Sequence, residues 1–379
     1  MKIVTVIGAR PQFIKAAVVS RAIAAHNQIN DKLKLKEYIL HTGQHYDQNM
    51  SKVFFRQMGL KDPDRQLHCG GITSHAKMLA EMLTGIEKAL LAYSPDYVLV
   101  YGDTNSTLAG ALAASQLHIP VIHVEAGLRC FNKAMPEEMN RILTDHLASL
   151  LFCPTHQSVR NLAKEGITKG VFFTGDVMYD ATLSFGKEAE EKSTILSALG
   201  LQPKKFHLCT VHRAENTDNP DRLYQIMMAL VHIATPDYPV IFPLHPRTGF
   251  YLKNYNLHAT VAANSSLRLI DPVDYLDMVM LEKNAATIFT DSGGIQKEAY
   301  FFRTPCITLR DETEWTETVE AGWNQIAGYQ TDKILECLTN NPEKSEIADY
   351  GDGHAAEKII YAIANPPRHC EARSNPVKK

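Results

Sequence analysis

With 379 residues, the chain is too long for one typical hydrophobic core and predicts two domains. Its hydrophobic fraction of 45% and charged fraction of 21% are typical of a soluble globular protein, and its net charge of -3 offers no basic face for nucleic acid. No apolar run approaches the ~20 residues of a membrane span, and seven scattered cysteines without a CxxC pair indicate a reducing, cytoplasmic compartment.

Strands and helices alternate along the chain. The first strand, Lys2–Ile7, leads through a glycine-bearing turn into a helix that reaches about residue 25. Further strands are predicted at 37–41, 97–101, 121–124 and 151–153, with helices at about 47–58, 74–93, 105–117 and 137–149. Beyond residue 170 the pattern restarts, with strands at 171–174, 207–211, 239–243, 267–270, 286–290 and 306–309. Apolar strands that alternate with amphipathic helices predict parallel sheets covered on both faces, an α/β fold.

The two arrays of strands and helices predict two doubly wound domains, 1–174 and 175–353. A helix is expected at 354–364. It should end there, because the prolines that follow cannot continue a helix. Residues 367–379 have little apolar surface to bury, and we expect them to form a mobile tail.

Residues 286–298 carry the most informative local pattern, a buried strand, a turn with two glycines and a helix. Gly293 and Gly294 would let the backbone approach a ligand closely and take up φ/ψ values closed to other residues. The helix that follows turns its free N–H groups and positive dipole end toward the same place, which favours an anion. One turn later, Glu298 offers acceptor oxygens suited to a pair of sugar hydroxyls. The pattern favours a nucleotide diphosphate site at Ser292, Gly293 and Gly294, with an ordinary strand–turn–helix link as the alternative.

In open α/β sheets, ligands bind beyond the carboxyl ends of the strands, so the residues that follow each strand form the candidate site. The polar residues at these places are Arg10, Lys15, Gln44, His45, Asp103 and Glu125 in the first half, and His212, Arg213, Asp271, Ser292 and Arg310 in the second.

Some of these residues also have a purely structural explanation. Asp103 could be a turn or capping residue, and Glu125 a solvated loop acid. Glu137 and Glu138 could both be first-turn acids favoured by the helix dipole. His123 lies inside a strand and is interpreted as a core histidine. His212 ends a strand before an arginine, which suits a phosphate contact or a proton relay.

Several common kinds of site are not supported. The histidines and acids lack a short metal-binding spacing such as HExxH, so no catalytic metal is predicted. The first turn lacks the three-glycine spacing of a dinucleotide site, so NAD binding is unsupported and we expect no cofactor. The chain also lacks the GxSxG and GxxxxGK[ST] signatures of common hydrolases and NTPases.

Together these motifs resemble the non-hydrolysing UDP-N-acetylglucosamine (UDP-GlcNAc) 2-epimerases. The matching segments are 8–15, 43–45, 102–104, 123–129, 136–141, 212–213, 290–298 and 310–311. The resemblance implies the GT-B fold, in which two Rossmann-like doubly wound domains face each other across a cleft. It also implies a last helix, about 354–366, that packs back on the first domain, and a homodimer.

The resemblance implies a reaction and a role for each residue. UDP-GlcNAc and UDP-ManNAc would interconvert by anti elimination of UDP to a glycal and syn re-addition, supplying precursors of cell-surface polysaccharides. The catalytic positions are Asp103, Glu125, Glu137 and His212. The substrate-binding set is Arg10, Lys15, Gln44, His45, Arg213, Asp271, Ser292, Gly293, Gly294, Glu298 and Arg310. The assignment of acid and base among the carboxylates stays open, with Asp103 favoured as base.

Two segments, 44–50 and 311–317, depart from the commonest family pattern. Together with 100–106 and 213–216 they resemble a branch that acts on modified UDP-HexNAc sugars, such as a diacetamido-glucuronate or 6-deoxy amino sugars. The same epimerisation of such a sugar is therefore the first alternative. A hydrolysing epimerase, a GT-B glycosyltransferase and a non-catalytic nucleotide-sugar sensor are the others. Three acids together with His212 exceed what sugar transfer requires, which favours epimerisation.

Overall fold

The structure, a computed structural model, describes residues 1–44, 55, 57–72 and 74–366. It divides into two compact units, Met1–Ala181 with the segment from Asp349 onward, and Thr182–Ala348. These limits differ from the predicted ranges 1–174 and 175–353. Most of the predicted helix at 47–58 and the whole predicted tail, 367–379, lie outside the described residues.

The first unit is built on a parallel sheet whose described strands have the order β3-β2-β1-β4-β5-β6-β7. The strands are β1 (Lys2–Ile7), β2 (Lys36–His41), β3 (Arg65–Gln66), β4 (Tyr97–Tyr101), β5 (Val121–Val124), β6 (Leu150–Cys153) and β7 (Val171–Phe173). The helices are α1 (Arg10–Ile29), α2 (His75–Tyr93), α3 (Asn105–Gln116), α4 (Pro136–Leu147), α5 (His156–Lys164) and α6 (Val177–Lys192), and the boundary between the units falls within α6.

The second unit repeats the design, with the strand order β10-β9-β8-β11-β12-β13 in the described sheet. Its strands are β8 (His207–Thr210), β9 (Val240–Pro243), β10 (Leu267–Ile270), β11 (Thr287–Thr290), β12 (Cys306–Thr308) and β13 (Asn324–Ile326). Its helices are α7 (Ile195–Ala198), α8 (Ala214–Thr217), α9 (Pro220–Ile233), α10 (Pro246–Asn254), α11 (His258–Ala262), α12 (Tyr275–Asn284), α13 (Gly293–Phe301), α14 (Thr316–Glu320) and α15 (Thr331–Thr339).

Both sheets follow the Rossmann order, in which the chain starts in the middle, runs to one edge and then returns to build the other half. The predicted α/β class with two doubly wound sheets is therefore confirmed. Strand ends lie side by side, since Ile7 is paired with His41 and Tyr101 with Val124. The loops after β1, β2, β4 and β5 consequently emerge at one edge of the first sheet.

The strands are apolar because helices cover both faces of each sheet. Every residue of β4 is buried, and Phe289 in β11 has no exposed surface. Full burial of such a side chain stabilises the fold by about 1.5–3 kcal/mol. Truncation of Phe289 to alanine would cost about 3–5 kcal/mol and would loosen the strand that leads into the two-glycine turn.

The last helix, α16 (Ala355–Ala364), belongs to the first unit and packs against α1. The carboxylate of Asp180 accepts hydrogen bonds from the N–H groups of Ala355 and Ala356, at 3.1 and 2.7 Å, and so caps this helix. The Asp176 N–H also donates to the Tyr350 carbonyl. These bonds hold the first turn of α6 in the first unit, which explains why the boundary lies later than residue 174. None of the helices in the described ranges is long and apolar enough to cross a membrane.

Candidate active site

The start of α1 and the loops after β4 and β5 bring Lys15, Asp103 and Glu125 together at the carboxyl edge of the first sheet. The Lys15 ammonium forms an ion pair with Oε2 of Glu125, and the two side chains are only 10% and 8% exposed. Both groups lie against Gly102, where a Cβ atom would come 3.1 Å from Glu125 Oε2 and 3.5 Å from Lys15 Nζ. Asp103 follows this glycine directly, so two carboxylates and one cation meet where β4 and β5 end.

Asp103 is held by the amino-terminal half of α4. Its Oδ2 accepts a hydrogen bond from Arg141 at 2.6 Å, and its backbone carbonyl accepts one from Asn140 at 2.9 Å. Burial raises the pKa of Asp103, and Glu125 adds to this effect, while Arg141 and Lys15 act against it. A carboxylate with a raised pKa is a stronger base than a solvated aspartate.

The backbone of Glu125 has a left-handed conformation, with φ of 72°. This conformation costs a residue with a side chain roughly 1–2 kcal/mol, so the surroundings must enforce it. The N–H groups of Glu125 and Ala126 both donate to the Phe152 carbonyl at 3.0 Å, which anchors the turn to β6. The strained turn aims Glu125 back toward Lys15.

A buried polar network of Asp145, His123 and Arg129 fixes the turn that carries Glu125. Asp145 accepts hydrogen bonds from the Gly127 N–H at 3.1 Å and from Arg129 at 2.7 Å, and it contacts Nδ1 of His123 at 2.7 Å. His123 also donates through Nε2 to the Gly102 carbonyl at 2.8 Å. Burial opposes ionisation of Asp145, but His123 and Arg129 hold its pKa below the usual value. His123 is therefore the core histidine that the sequence predicted, and it links the loops of Asp103 and Glu125.

The two adjacent acids of α4 have different surroundings. Glu137 is exposed in the first helical turn, and its catalytic role stays a prediction. Glu138 is buried and accepts hydrogen bonds from the N–H groups of Cys130 and Phe131 and from Arg141 at 2.9 Å. Burial alone would raise the pKa of Glu138, but these bonds lower it. Sequence reasoning treated Glu138, together with Glu137, as a first-turn acid and gave it no site role, although its spacing of three residues from Arg141 is that of a helical ion pair.

The other predicted residues of the first unit lie around this edge. Arg10 is exposed at the first position of α1. The side-chain oxygen of Gln44 accepts hydrogen bonds from the Ser106 N–H and hydroxyl, at 3.1 and 2.7 Å, so it braces the start of α3. His45 lies outside the described residues.

Gln12 is a further residue that sequence reasoning missed. Its oxygen accepts hydrogen bonds from the N–H groups of Gly8 and Ala9, at 2.8 and 3.1 Å. Its nitrogen donates to the Tyr101 carbonyl at 2.9 Å and to the Thr107 hydroxyl at 3.0 Å. One buried amide thereby joins the turn after β1 to the end of β4.

In the second unit, α13 begins at Gly293, and no described side chain caps it. Neither Gly293 nor Gly294 has a positive φ, so the expectation that they need φ/ψ values closed to other residues is wrong. Their role is instead to leave the start of α13 without Cβ atoms, so that other groups can approach its backbone. A Cβ on Gly294 would have Oε2 of Glu298 and Oγ of Ser292 as its nearest neighbours, both 4.0 Å away. Glu298 therefore faces the helix start, as its position one turn later predicts.

Asp291 ties the loop after β8 to the loop after β11. It is fully buried and accepts hydrogen bonds from the N–H groups of His212 and Arg213 at 3.0 Å and from the Asn216 amide at 3.2 Å. Nδ1 of His212 also lies 3.3 Å from Oδ1 of Asp291. The strand end that carries His212 and Arg213 is thus fixed beside the two-glycine turn.

Arg310 follows β12 and reaches the same place. It is 6% exposed, and it donates to Oε2 of Glu314 at 2.8 Å. Oε1 of the same carboxylate lies 3.9 Å from Arg213. Glu314 was not assigned from the sequence. Asp271 is exposed after β10, the edge strand, two strands away from β8, so the sheet order separates it from this group.

Comparison with known proteins places these features in a family. The family model described as UDP-N-acetylglucosamine 2-epimerase matches residues 27–364. A UDP-N-acetylglucosamine 2-epimerase homolog of Methanococcus maripaludis is 50% identical over 96% of this chain and 100% of its own length. A UDP-2,3-diacetamido-2,3-dideoxy-D-glucuronate 2-epimerase of Pseudomonas aeruginosa is 48% identical over 96% of this chain and 99% of its own.

Among solved structures, that of Methanocaldococcus jannaschii UDP-GlcNAc 2-epimerase in complex with UDP-GlcNAc and UDP is similar, with a TM-score of 0.84 and 42% identity. The match covers 96% of this chain and 100% of the other. The predicted GT-B fold class is thereby confirmed. The chain belongs to the UDP-N-acetylglucosamine 2-epimerase family.

Proposed function

We propose that the chain is a non-hydrolysing UDP-GlcNAc 2-epimerase that interconverts UDP-GlcNAc and UDP-ManNAc. The observation that carries this proposal is the convergence of Lys15, Asp103 and Glu125 at one sheet edge, in a chain of the epimerase family. Inversion at carbon 2 requires a group that removes a proton from one face and a group that returns one to the other. Two carboxylates beside a cation supply this chemistry.

The proposed reaction couples two steps, proton removal from carbon 2 and loss of UDP from carbon 1, which are each unfavourable alone. The proton on carbon 2 of the sugar is weakly acidic, so its removal must accompany loss of a good leaving group. A carboxylate takes this proton, the bond between carbon 1 and the phosphate oxygen breaks, and its electron pair leaves with UDP. UDP then re-adds to carbon 1 of the glycal while a proton returns to the opposite face of carbon 2. The reaction has no net oxidation, so it needs no redox cofactor.

The residues of the first unit fit the proton transfers. Asp103 has a raised pKa and suits the role of base, while Glu125, paired with Lys15, is the second candidate. Glu137 of the first unit and His212 of the second unit complete the proposed catalytic set. Each proton transfer by a positioned side chain is worth about 10²–10⁴-fold in rate.

The residues of the second unit fit the nucleotide. The start of α13 at Ser292, Gly293 and Gly294 offers N–H groups and a helix dipole to the diphosphate. Glu298, buried and facing this start, would accept hydrogen bonds from the ribose hydroxyls. Arg310 would stabilise the charge that develops on UDP as it departs, typically the largest catalytic contribution.

Incubation with UDP-GlcNAc in D₂O, followed by NMR, tests the proposal. Epimerisation should place deuterium at carbon 2 and produce UDP-ManNAc. Intact, unlabelled UDP-GlcNAc would refute it, and free ManNAc with UDP would indicate a hydrolysing enzyme. A parallel incubation with a UDP-diacetamido-glucuronate covers the modified sugar, and exchange there alone would assign that substrate instead.

Matched variants connect the reaction to the site. Asp103→Asn should abolish most of the exchange, because an amide cannot take the proton. Asp62→Asn alters an exposed aspartate that precedes β3 and should leave the exchange unchanged. Equal exchange in both variants would remove Asp103 from the mechanism.

We also propose that the chain assembles as a homodimer in the cytoplasm, as the family resemblance and the composition predict. Light scattering coupled to size-exclusion chromatography tests the assembly. A mass of 42.3 kDa, that of one chain, would contradict it.

A further inference from the structure

The carboxylate of Glu314 covers the start of α13, the place proposed for the diphosphate. Its Oε1 lies so close to Gly293 that a Cβ atom on this glycine could not be accommodated without displacing it. Gly293 is buried, whereas Gly294, next along the chain, is exposed. The absence of a side chain at Gly293 therefore makes room for a negatively charged group of the protein itself.

Glu314 is placed between Arg310, which the proposed function assigns to the departing UDP, and Arg213, which the resemblance places among the substrate-binding residues. Oε2 accepts a hydrogen bond from Arg310 at 2.8 Å, and Oε1 lies 3.9 Å from Arg213. Burial alone would raise the pKa of Glu314, but Arg310 lowers it, so the carboxylate is ionised at neutral pH. The Glu314 side chain is 28% exposed, so its carboxylate can move into solvent, away from the arginines.

Two buried donors at this place lack a hydrogen-bond partner among the described residues, Nε of Arg310 and Nε1 of Trp315. Their residues are only 6% and 8% exposed. Nε1 of Trp315 lies 3.6 Å from the Cβ position of Gly293, so it is aimed at the start of α13. A buried donor without an acceptor is unfavourable, so a ligand with several acceptor oxygens would be favoured here.

A cation also packs over the indole ring of Trp315. The ammonium group of Lys297, a buried residue of α13, lies 4.1 Å from the centre of the ring. A cation over the face of an indole is attracted by the negative potential of its π system. The N–H edge of the ring is thereby presented to Gly293.

We propose that Glu314 is an internal competitor of the substrate diphosphate. Its carboxylate neutralises Arg213 and Arg310 over Gly293, and a phosphate group of the ligand replaces it. The phosphate then also accepts hydrogen bonds from Nε of Arg310 and Nε1 of Trp315. This inference rests on the proposed function, because it takes the diphosphate of a UDP-sugar as the ligand. Competition predicts that removal of the carboxylate charge strengthens binding, whereas a carboxylate that merely orients Arg310 predicts the opposite.

Isothermal titration calorimetry of the full chain with UDP tests the proposal. Glu314→Gln preserves the size of the side chain and should bind UDP roughly 5- to 20-fold more tightly than the unaltered chain. Trp315→Phe keeps an aromatic ring over Lys297 but removes the N–H, and should weaken binding about 5-fold. Glu312→Gln, an exposed acid two residues before Glu314, is the matched control and should leave the Kd unchanged.

Equal or weaker UDP binding by Glu314→Gln would overturn the inference while leaving the proposed function intact. If Glu314→Gln does not fold, Glu314→Asp, which withdraws the carboxylate by one methylene group, should also bind UDP more tightly, and unchanged binding would overturn the inference equally. An unaltered chain that does not bind UDP would refute the proposed function and this inference with it.

Discussion

Replacement of Asp291 by asparagine should destabilise the second unit by about 1.5–3 kcal/mol. The carboxylate is fully buried and accepts hydrogen bonds from the N–H groups of His212 and Arg213 and from the amide of Asn216. Asparagine keeps one acceptor oxygen but turns an NH₂ group toward backbone donors. Oδ2 accepts from all three donors, and Oδ1 accepts only from the His212 N–H, at 3.1 Å. One charge-assisted hydrogen bond is therefore lost, worth about 1.5–3 kcal/mol.

The two tryptophans of the chain, Trp315 and Trp323, both lie in the second unit. Urea unfolding followed by tryptophan fluorescence therefore reports the stability of this unit. Asp311→Asn is the matched control, because Asp311 is 55% exposed and its ion pair with Arg222 lies at the surface. Such a pair contributes only about 0.2–1 kcal/mol. If the two variants unfold at the same urea concentration, the reasoning about Asp291 is wrong.

Three further predictions concern the first unit. Burial raises the pKa of Asp180 to about 6, so the folded state binds a proton that the unfolded chain releases near pH 4. Stability should fall by ~3 kcal/mol in total as pH rises from about 3 to about 7, with the steepest loss between the two pKa values. Urea titrations of Asp180→Asn should lack this slope, and an equal slope would contradict the assignment. Glu125→Gln should lower kcat about 10²–10⁴-fold without changing the Kd for UDP; an unchanged kcat would exclude Glu125 from catalysis. Asp145→Ala removes the acceptor of the Gly127 N–H, the contact with His123 and one of the two carboxylate partners of Arg129, which keeps Glu165. It should cost at least about 3 kcal/mol in urea unfolding followed by circular dichroism, and a loss below about 1 kcal/mol would contradict the network.

Most strands were predictable because local apolar patterns define them. The prediction at 97–101 and the observed β4 coincide, as do those for β5 and β10. Two short strands, β3 and β13, were missed, since they are mostly polar and two or three residues long. The pattern restarts near residue 171, which by itself would assign that strand to the second array, although the predicted first domain, 1–174, includes it. The structure pairs β7 with β6 in the first sheet. Pairing partners depend on contacts across the sheet, which a local pattern does not contain.

The candidate site was predictable to the extent that it depends on strand ends. Asp103 and Glu125 follow β4 and β5, and parallel strands deliver such residues to one edge. The residues that hold them were not predictable, because their partners are distant in the chain. Arg141, for example, reaches Asp103 from 38 residues away.

The sequence by itself determined the α/β class, the alternation of strands and helices, and the polar residues that follow each strand. These features depend on the periodicity of apolar residues and on turn residues, which act over a few positions. Only the tertiary structure decided which charges meet and which are buried. It pairs Lys15 with Glu125 and places Glu314 over Gly293. The energies of such pairs depend on distance and on exclusion of water, and both exist only after distant segments have packed together.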